Sequence, residues 1–357
     1  MSASLTGTPA ETVALHNRAV VLRSEGRIDE ALVVVERMRA STTPPPETEL
    51  LHGHLLIDQG AVDAAILVFQ SISQKRPDIV EAHRILAQLL PQVGRDGEAL
   101  DSFRAALAKL PGSGLLWLAA LGAAKARRDA AQVIALAQGA VAQFGRDALL
   151  DVLVAQAESW EGEYDAAIGR LEHVIKVEPD LIDAHATLAQ IAVRTGDLSR
   201  AEVAALTAIR LDATYQTAWA TLDVIWRLRR DSRAEWLGNP DAMIGIVGLD
   251  VDVAQTAVAI KALHVTSSHP AEQTLRGGTQ TLGDLFARHQ HEIVTLRRAV
   301  ERAVTQFIAS LHADSNHPFY GRNTGRFTFG GSWSVRLRKG GLHVAHIHPA
   351  GWLSSAL

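Results

Sequence analysis

Three histidines within six residues, His343, His346 and His348, are the part of this sequence best suited to chemistry. Imidazole nitrogens bind iron, zinc, copper and nickel. On an extended strand side chains alternate between faces, so His346 and His348 point the same way, near enough to chelate one ion. His343 would face the opposite side of a regular strand and stands as the alternative ligand. The rival reading is a pair of hydrogen-bonded histidines beside a turn, because a His-x-His pair on a strand also occurs without metal. Two further histidines, His289 and His291, fall at the start of a predicted helix, where a spacing of two points them to different sides and makes a shared ion unfavourable.

The elements around these residues are mixed. RFTFGGSWSVRLRKGGLHVAHIHPAGWL (326–353) reads as strand and glycine turn. Upstream of it, Ile293, Leu296, Val300, Val304, Phe307 and Ile308 form one helical stripe. Residues 250–265 read as a helix, AMIGIVGLDV (242–251) as a short strand, and 231–242 as a linker closed by Asn239-Pro240. Arg276, Gly277 and Gly278 read as a loop before the long helix, bordering an active site or simply turning the chain. The glycine pair is too short to cradle a phosphate, and no GxxxxGK[ST] occurs, which excludes that class of nucleotide site. Arg336 and Arg338 alternate with Val335 and Leu337, as on a half-buried strand, where they face a substrate acid or, as the favoured reading, solvent. Trp333 and Trp352 read as packing residues flanking the histidines.

Before Asp231 the pattern is periodic. Gly26, Gly60, Gly94, Gly162 and Gly196 share a 34-residue grid, with Arg128 in the skipped place. Five residues on lie Ala31, Ala65, Ala99, Val133, Ala167 and Ala201. A third column reads Thr43, Pro77, Pro111, Gly145, Pro179 and Ala213, and Phe69 and Phe103 share a fourth. Each column has a mechanical reason. Glycine takes the positive φ that ends a first helix. Alanine lets a second helix approach closely, and proline stops that second helix. The segment YQTAWATLDVIWRLRR (215–230) keeps the register as a terminal helix.

Composition bounds the rest. Aromatics are 5% of the chain and apolar residues 47%, a balance that favours packed helices over β-sandwiches. A net charge of −4 without a basic run excludes a nucleic-acid footprint. The chain has no cysteine, so disulfides and thiolate metal sites are excluded. No signal peptide is read at the start and no apolar run spans a bilayer, so no membrane is expected and the expected location is the cytoplasm.

The columns resemble the tetratricopeptide repeat pattern over residues 12–230, six units plus the terminal helix. That resemblance implies a helical solenoid whose concave face binds a protein or peptide; packing against the following domain is the alternative use of the face. QTLRGGTQT (273–281) and SWSVRLRKGGLHVAHIHPAGWLSS (332–355) resemble the 2-oxoglutarate/Fe(II) oxygenases found fused behind such arrays. The fold class implied is α+β: an all-α tetratricopeptide solenoid, then an incomplete double-stranded β-helix, or jelly roll, with flanking helices. The organisation implied is a disordered 1–11, the array 12–230, a linker 231–242, and the N-terminal half of an oxygenase domain in 243–357. Carried over by position, His346 is the first iron ligand, and His348 stands where related oxygenases more often have aspartate. The co-substrates implied are 2-oxoglutarate and dioxygen, and the reaction is hydroxylation. The family's second half, with a distal histidine and a basic residue for 2-oxoglutarate, has no counterpart before Leu357. The expectation is weak metal binding and no turnover by this chain. The competing expectation is a non-catalytic scaffold with a vestigial C-terminal segment.

Overall fold

The computed structural model describes residues 9–41, 45–270 and 273–357. Residues 1–8 and Thr43 lie outside that set.

The repeats form helix pairs: α1 (Pro9–Ser24) with α2 (Ile28–Ser41), α3 (Pro46–Gln59) with α4 (Val62–Lys75), and α5 (Val80–Gln92) with α6 (Asp101–Lys109). They continue as α7 (Gly114–Ala126) with α8 (Ala130–Phe144), α9 (Ala148–Trp160) with α10 (Tyr164–Val177), and α11 (Ile182–Thr195) with α12 (Leu198–Leu211), followed by α13 (Gln216–Arg229). α1 starts at Pro9, three residues before the expected edge of the array.

The grid is written in the backbone. Gly60 and Gly196 end α3 and α11 at φ 88° and 81°. Where glycine is missing the conformation persists: Arg128 has φ 53° and Arg230 φ 55°. L-residues adopt this region at a cost, so the repeat imposes its cap even on arginine. The small-residue column is buried throughout, from Ala31 at 0% exposure through Val133 to Ala201, both also 0%. Phe69 fills the space that Gly53 leaves open; a Cβ on Gly53 would sit 2.5 Å from the Phe69 ring. α6 is short because Asp96–Glu98 forms a separate single turn before it.

A column that the sequence reading missed ties consecutive pairs together. His83 and His185 each donate from Nε2 to the carbonyl six residues back, Pro77 O at 3.0 Å and Pro179 O at 2.7 Å. Trp117 and Trp219 donate from Nε1 at the same repeat place, to Pro111 O at 2.8 Å and Ala213 O at 2.9 Å. Ring N–H groups recurring in register were the available signal. Each one satisfies a loop carbonyl that no helix reaches.

After the array come α14 (Arg233–Gly238), α15 (Pro240–Met243), α16 (Val253–Ala262), β1 (Leu275–Gln280), α17 (His291–Ser310) and β2 (Val335–His343). Three expectations are corrected here. The linker 231–242 folds as helix: Ala234 and Leu237 of α14 join the core of α9–α13. The strand expected over 242–251 does not form, because Pro240 opens a helical turn capped by the Asn239 side chain, and among the described residues no strand pairs with those that follow it. Arg276–Gly278 is strand rather than loop. β1 pairs antiparallel with β2 from Gln280↔Val335 to Gly278↔Leu337, then resumes at Arg276↔Leu342. The surplus residues of β2 bulge opposite Gly277, and a Cβ on Gly341 would lie 2.4 Å from Gly277 O. The glycines therefore serve backbone-to-backbone contact. Among the described residues the sheet has these two strands.

The chain divides into two compact units. The first takes the described parts of residues 1–123, 251–298 and 331–344. In it, Leu282 joins the core of α4 and α5 beside Phe69 and Leu86. The second takes residues 124–250, 299–330 and 345–357. Its core runs from Val152 and Leu171 to Leu222, Ile225 and Trp226.

Candidate functional site

β2 ends at His343, so His346 and His348 do not sit on a strand as expected. They converge nonetheless. The two Nε2 atoms are 3.1 Å apart, with ring centroids at 4.8 Å and planes at 77°. The turn after them holds the arrangement. Gly351 N donates to His348 O at 2.9 Å, Arg322 donates to Gly351 O at 3.2 Å, and Trp352 Nε1 donates to Phe319 O at 2.9 Å. Trp352 thus packs against Phe319, as its sequence context implied.

Two nitrogens this close can share one proton or face one cation. A metal bound at about 2.0–2.1 Å by two neighbouring imidazoles leaves the nitrogens roughly 3.0–3.4 Å apart, and the observed separation lies in that range. His348 is held below the ordinary histidine pKa, first by partial burial and second by the neighbouring His346. Both effects favour the neutral ring that a metal requires. The pair therefore fits two adjoining coordination positions. Among the described residues no group of three or more His, Asp or Glu side chains is placed to complete a metal site. His343, the alternative ligand, lies in the first unit, where its Nδ1 is 3.2 Å from Thr274 Oγ1.

His317, which sequence reading did not single out, is buried. Its Nδ1 accepts from Phe319 N at 3.0 Å, and its Nε2 is 2.9 Å from Trp236 O. His289 lies with its ring against Gly26, and His291 opens α17. Arg336 and Arg338 are exposed, and Arg338 donates to Ser267 O.

The repeats offer a second kind of site. In the second unit, Leu149 on α9 and Val224 and Leu228 on α13 are 49%, 44% and 59% exposed. The charged side chains of these helices are mostly paired with groups on the helices beside them. Arg170 spans Asp151 and Glu158 at 3.0 and 2.6 Å, and Glu202 receives Arg233 at 2.8 Å, Trp226 Nε1 at 2.9 Å and Arg229. What these first helices present unpaired is apolar surface. No helix among the described residues is long and apolar enough to cross a membrane.

Residues 161–222 match the tetratricopeptide repeat model. No curated protein matches the sequence. Among solved structures, a tetratricopeptide repeat protein from Parabacteroides merdae is 17% identical over 61% of this chain and 86% of its own, with a TM-score of 0.38. The C-terminal part of a repeat protein from Cytophaga hutchinsonii is 15% identical over 61% and 90%, with a TM-score of 0.42. A repeat protein from Thermus thermophilus is 18% identical over 60% and 99%, with a TM-score of 0.28. Residues 161–222 match as tetratricopeptide repeats, and the helix pairs before them keep the same 34-residue backbone register.

Proposed function

From an array of tetratricopeptide repeats we propose a protein-binding scaffold, in which the concave face of the first helices takes up a peptide or partner protein. The observation that carries this is the exposure of Leu149, Val224 and Leu228 on first helices whose charges are already paired. Large apolar side chains in such a place gain by being covered, at about 25 cal/mol per Å² of apolar surface. An array of peptides displayed on beads, probed with the full chain, tests it. Ligands retained by the wild type and lost with Leu149→Glu at unchanged melting temperature support the reading. Ligands held equally by that variant place the binding surface elsewhere.

The 3.1 Å approach of His346 and His348 favours a second reading, an Fe(II)/2-oxoglutarate oxygenase site attached to the array. His346 and His348 would hold the iron, as two neutral imidazoles in adjoining positions. Bound with 2-oxoglutarate and dioxygen, iron supplies the oxidising power for hydroxylation. This chain's contribution is to fix the two rings through the turn at Gly351 and the anchor at Trp352. Titration with Co(II), followed by visible absorption, tests the pair without requiring turnover. Saturable binding should disappear in the His346→Ala/His348→Ala chain. Equal binding by that variant removes the iron reading and leaves the scaffold.

A further inference from the structure

In the first unit, α16 turns its apolar side chains outward. Val253, Ala254, Ala257 and Val258 are exposed, the two valines at 73% and 72%, whereas Thr256, Ala259 and Ile260 are half-buried. At 3.6 residues per turn the exposed four share one face with Lys261, and the half-buried three lie on the opposite face. A solvated helix carries its polar residues outside. Here the outer face is the apolar one, and no residue of α16 is fully buried.

The helix is nevertheless held. Asp252 caps it by accepting from Gln255 N at 2.9 Å. The chain that follows is bonded into the same unit. His264 lies 2.9 Å from Thr279 Oγ1 and 3.2 Å from Ser334 Oγ, Val265 packs over Gly60 at the end of α3, and Ser267 Oγ donates to Gln92 O at the end of α5, at 2.9 Å. Between Asp252 and Lys261 the sequence has no other charged side chain. Neither of the two has an ion pair among the described residues. An acid at the first turn and a base at the last suit the helix's own dipole. They also make the helix complementary to an antiparallel copy of itself, in which each Lys261 lies beside the first turn of the other copy. A parallel copy would set like charges side by side, which is unfavourable. Ala254 and Ala257 reach no further than Cβ, so two such helices can approach closely.

We propose that the outward face of α16 is the contact surface of a homodimer. Val253, Ala254, Ala257 and Val258 pack against the same residues of a second copy, antiparallel about a two-fold axis near Ala257, with Lys261 beside Asp252 at each end. Such a contact is self-complementary. A 10-residue helix covers less than the about 1,200 Å² of a lasting interface, so the dimer forms and dissociates with concentration. The surface uses neither the apolar side chains of the second unit nor the histidine pair, and it does not require the scaffold reading.

Sedimentation velocity of the full chain, from micromolar to near-millimolar concentration, should show a monomer–dimer equilibrium. Val258→Glu sets a carboxylate in the apolar contact and should weaken the dimer at least about tenfold. Lys261→Glu, at the rim, should weaken it about threefold. The chain has no cysteine, so single cysteines report the arrangement. Ala257→Cys, near the axis, should give a disulfide-linked dimer on mild oxidation. Val253→Cys should not, because its two copies stand about 12 Å apart along an antiparallel pair, too far for a disulfide. The cysteine variants decide the matter if Val258→Glu does not fold. A wild type that stays monomeric throughout leaves the face to another protein or to none, and overturns the proposal. So does a dimer that folded Val258→Glu leaves unchanged, or linkage of Val253→Cys as ready as that of Ala257→Cys.

Discussion

Between Gly26 and Arg230 the backbone turns left-handed every 34 residues, at arginine as well as at glycine. Between Ile244 and Asp252 it forms neither helix nor ladder, although Ile244, Ile246 and Leu249 come from a stretch that reads as a strand. The array is a local structure. Each unit's helices meet partners next to them in sequence, so a departure such as Arg128 is carried by its neighbours. The C-terminal segment is a long-range structure. β1 needs β2, some 55 residues later in the chain by the pairing of Gln280 with Val335, and Leu282 needs the core of α4 and α5. A sequence pattern repeated six times survives single exceptions. A pattern that occurs once depends on whether its partner is present.

Three substitutions sharpen or break this contrast, each measured by urea unfolding of the full chain. Phe69→Ala should have the largest effect, a loss of about 3–5 kcal/mol, because a fully buried ring wedged over Gly53 leaves a cavity. A loss below that range would mean that the second repeat collapses around the gap and is not tightly specified by its neighbours. Arg230→Gly should stabilise by about 0.5–1 kcal/mol, since glycine adopts φ 55° without the Cβ penalty. A destabilised glycine variant would show that the Arg230 side chain, and not the repeat, secures that cap. Ile246→Ser should be the smallest, within about 0.5 kcal/mol of wild type, because Ile246 is 99% exposed. A large loss there would reveal a covering surface and place the segment with the array in kind.

The legible parts follow the same divide. The glycine, alanine and phenylalanine columns gave boundaries for α3, α4, α9–α13 and the burial of Ala65 and Phe69, because helix period and cap chemistry are local. The donor column of His83, Trp117, His185 and Trp219 went unread. Its residue types differ, and only the common carbonyl target unites them. At the candidate site, the prediction that His346 and His348 face the same way agrees with the structure, but the expected cause does not. They converge in an irregular stretch closed by Gly351 and anchored by Trp352, instead of alternating along a strand. Arg276–Gly278 was misread as a loop because adjacent glycines usually mark a turn. Here they let two strands touch at a bulge.

By itself the sequence determined the helical repeat, its period and its register, since helix propensity, capping and small-residue packing act over a few residues and recur. Tertiary structure decided what the single-copy residues became. It folded the expected linker into the core of α9–α13, laid Val265–Ser268 across α3 and α5, and brought two imidazoles together without a strand to carry them. Such outcomes depend on which distant carbonyl, ring or core has an unsatisfied place, and spacing along the chain does not encode that.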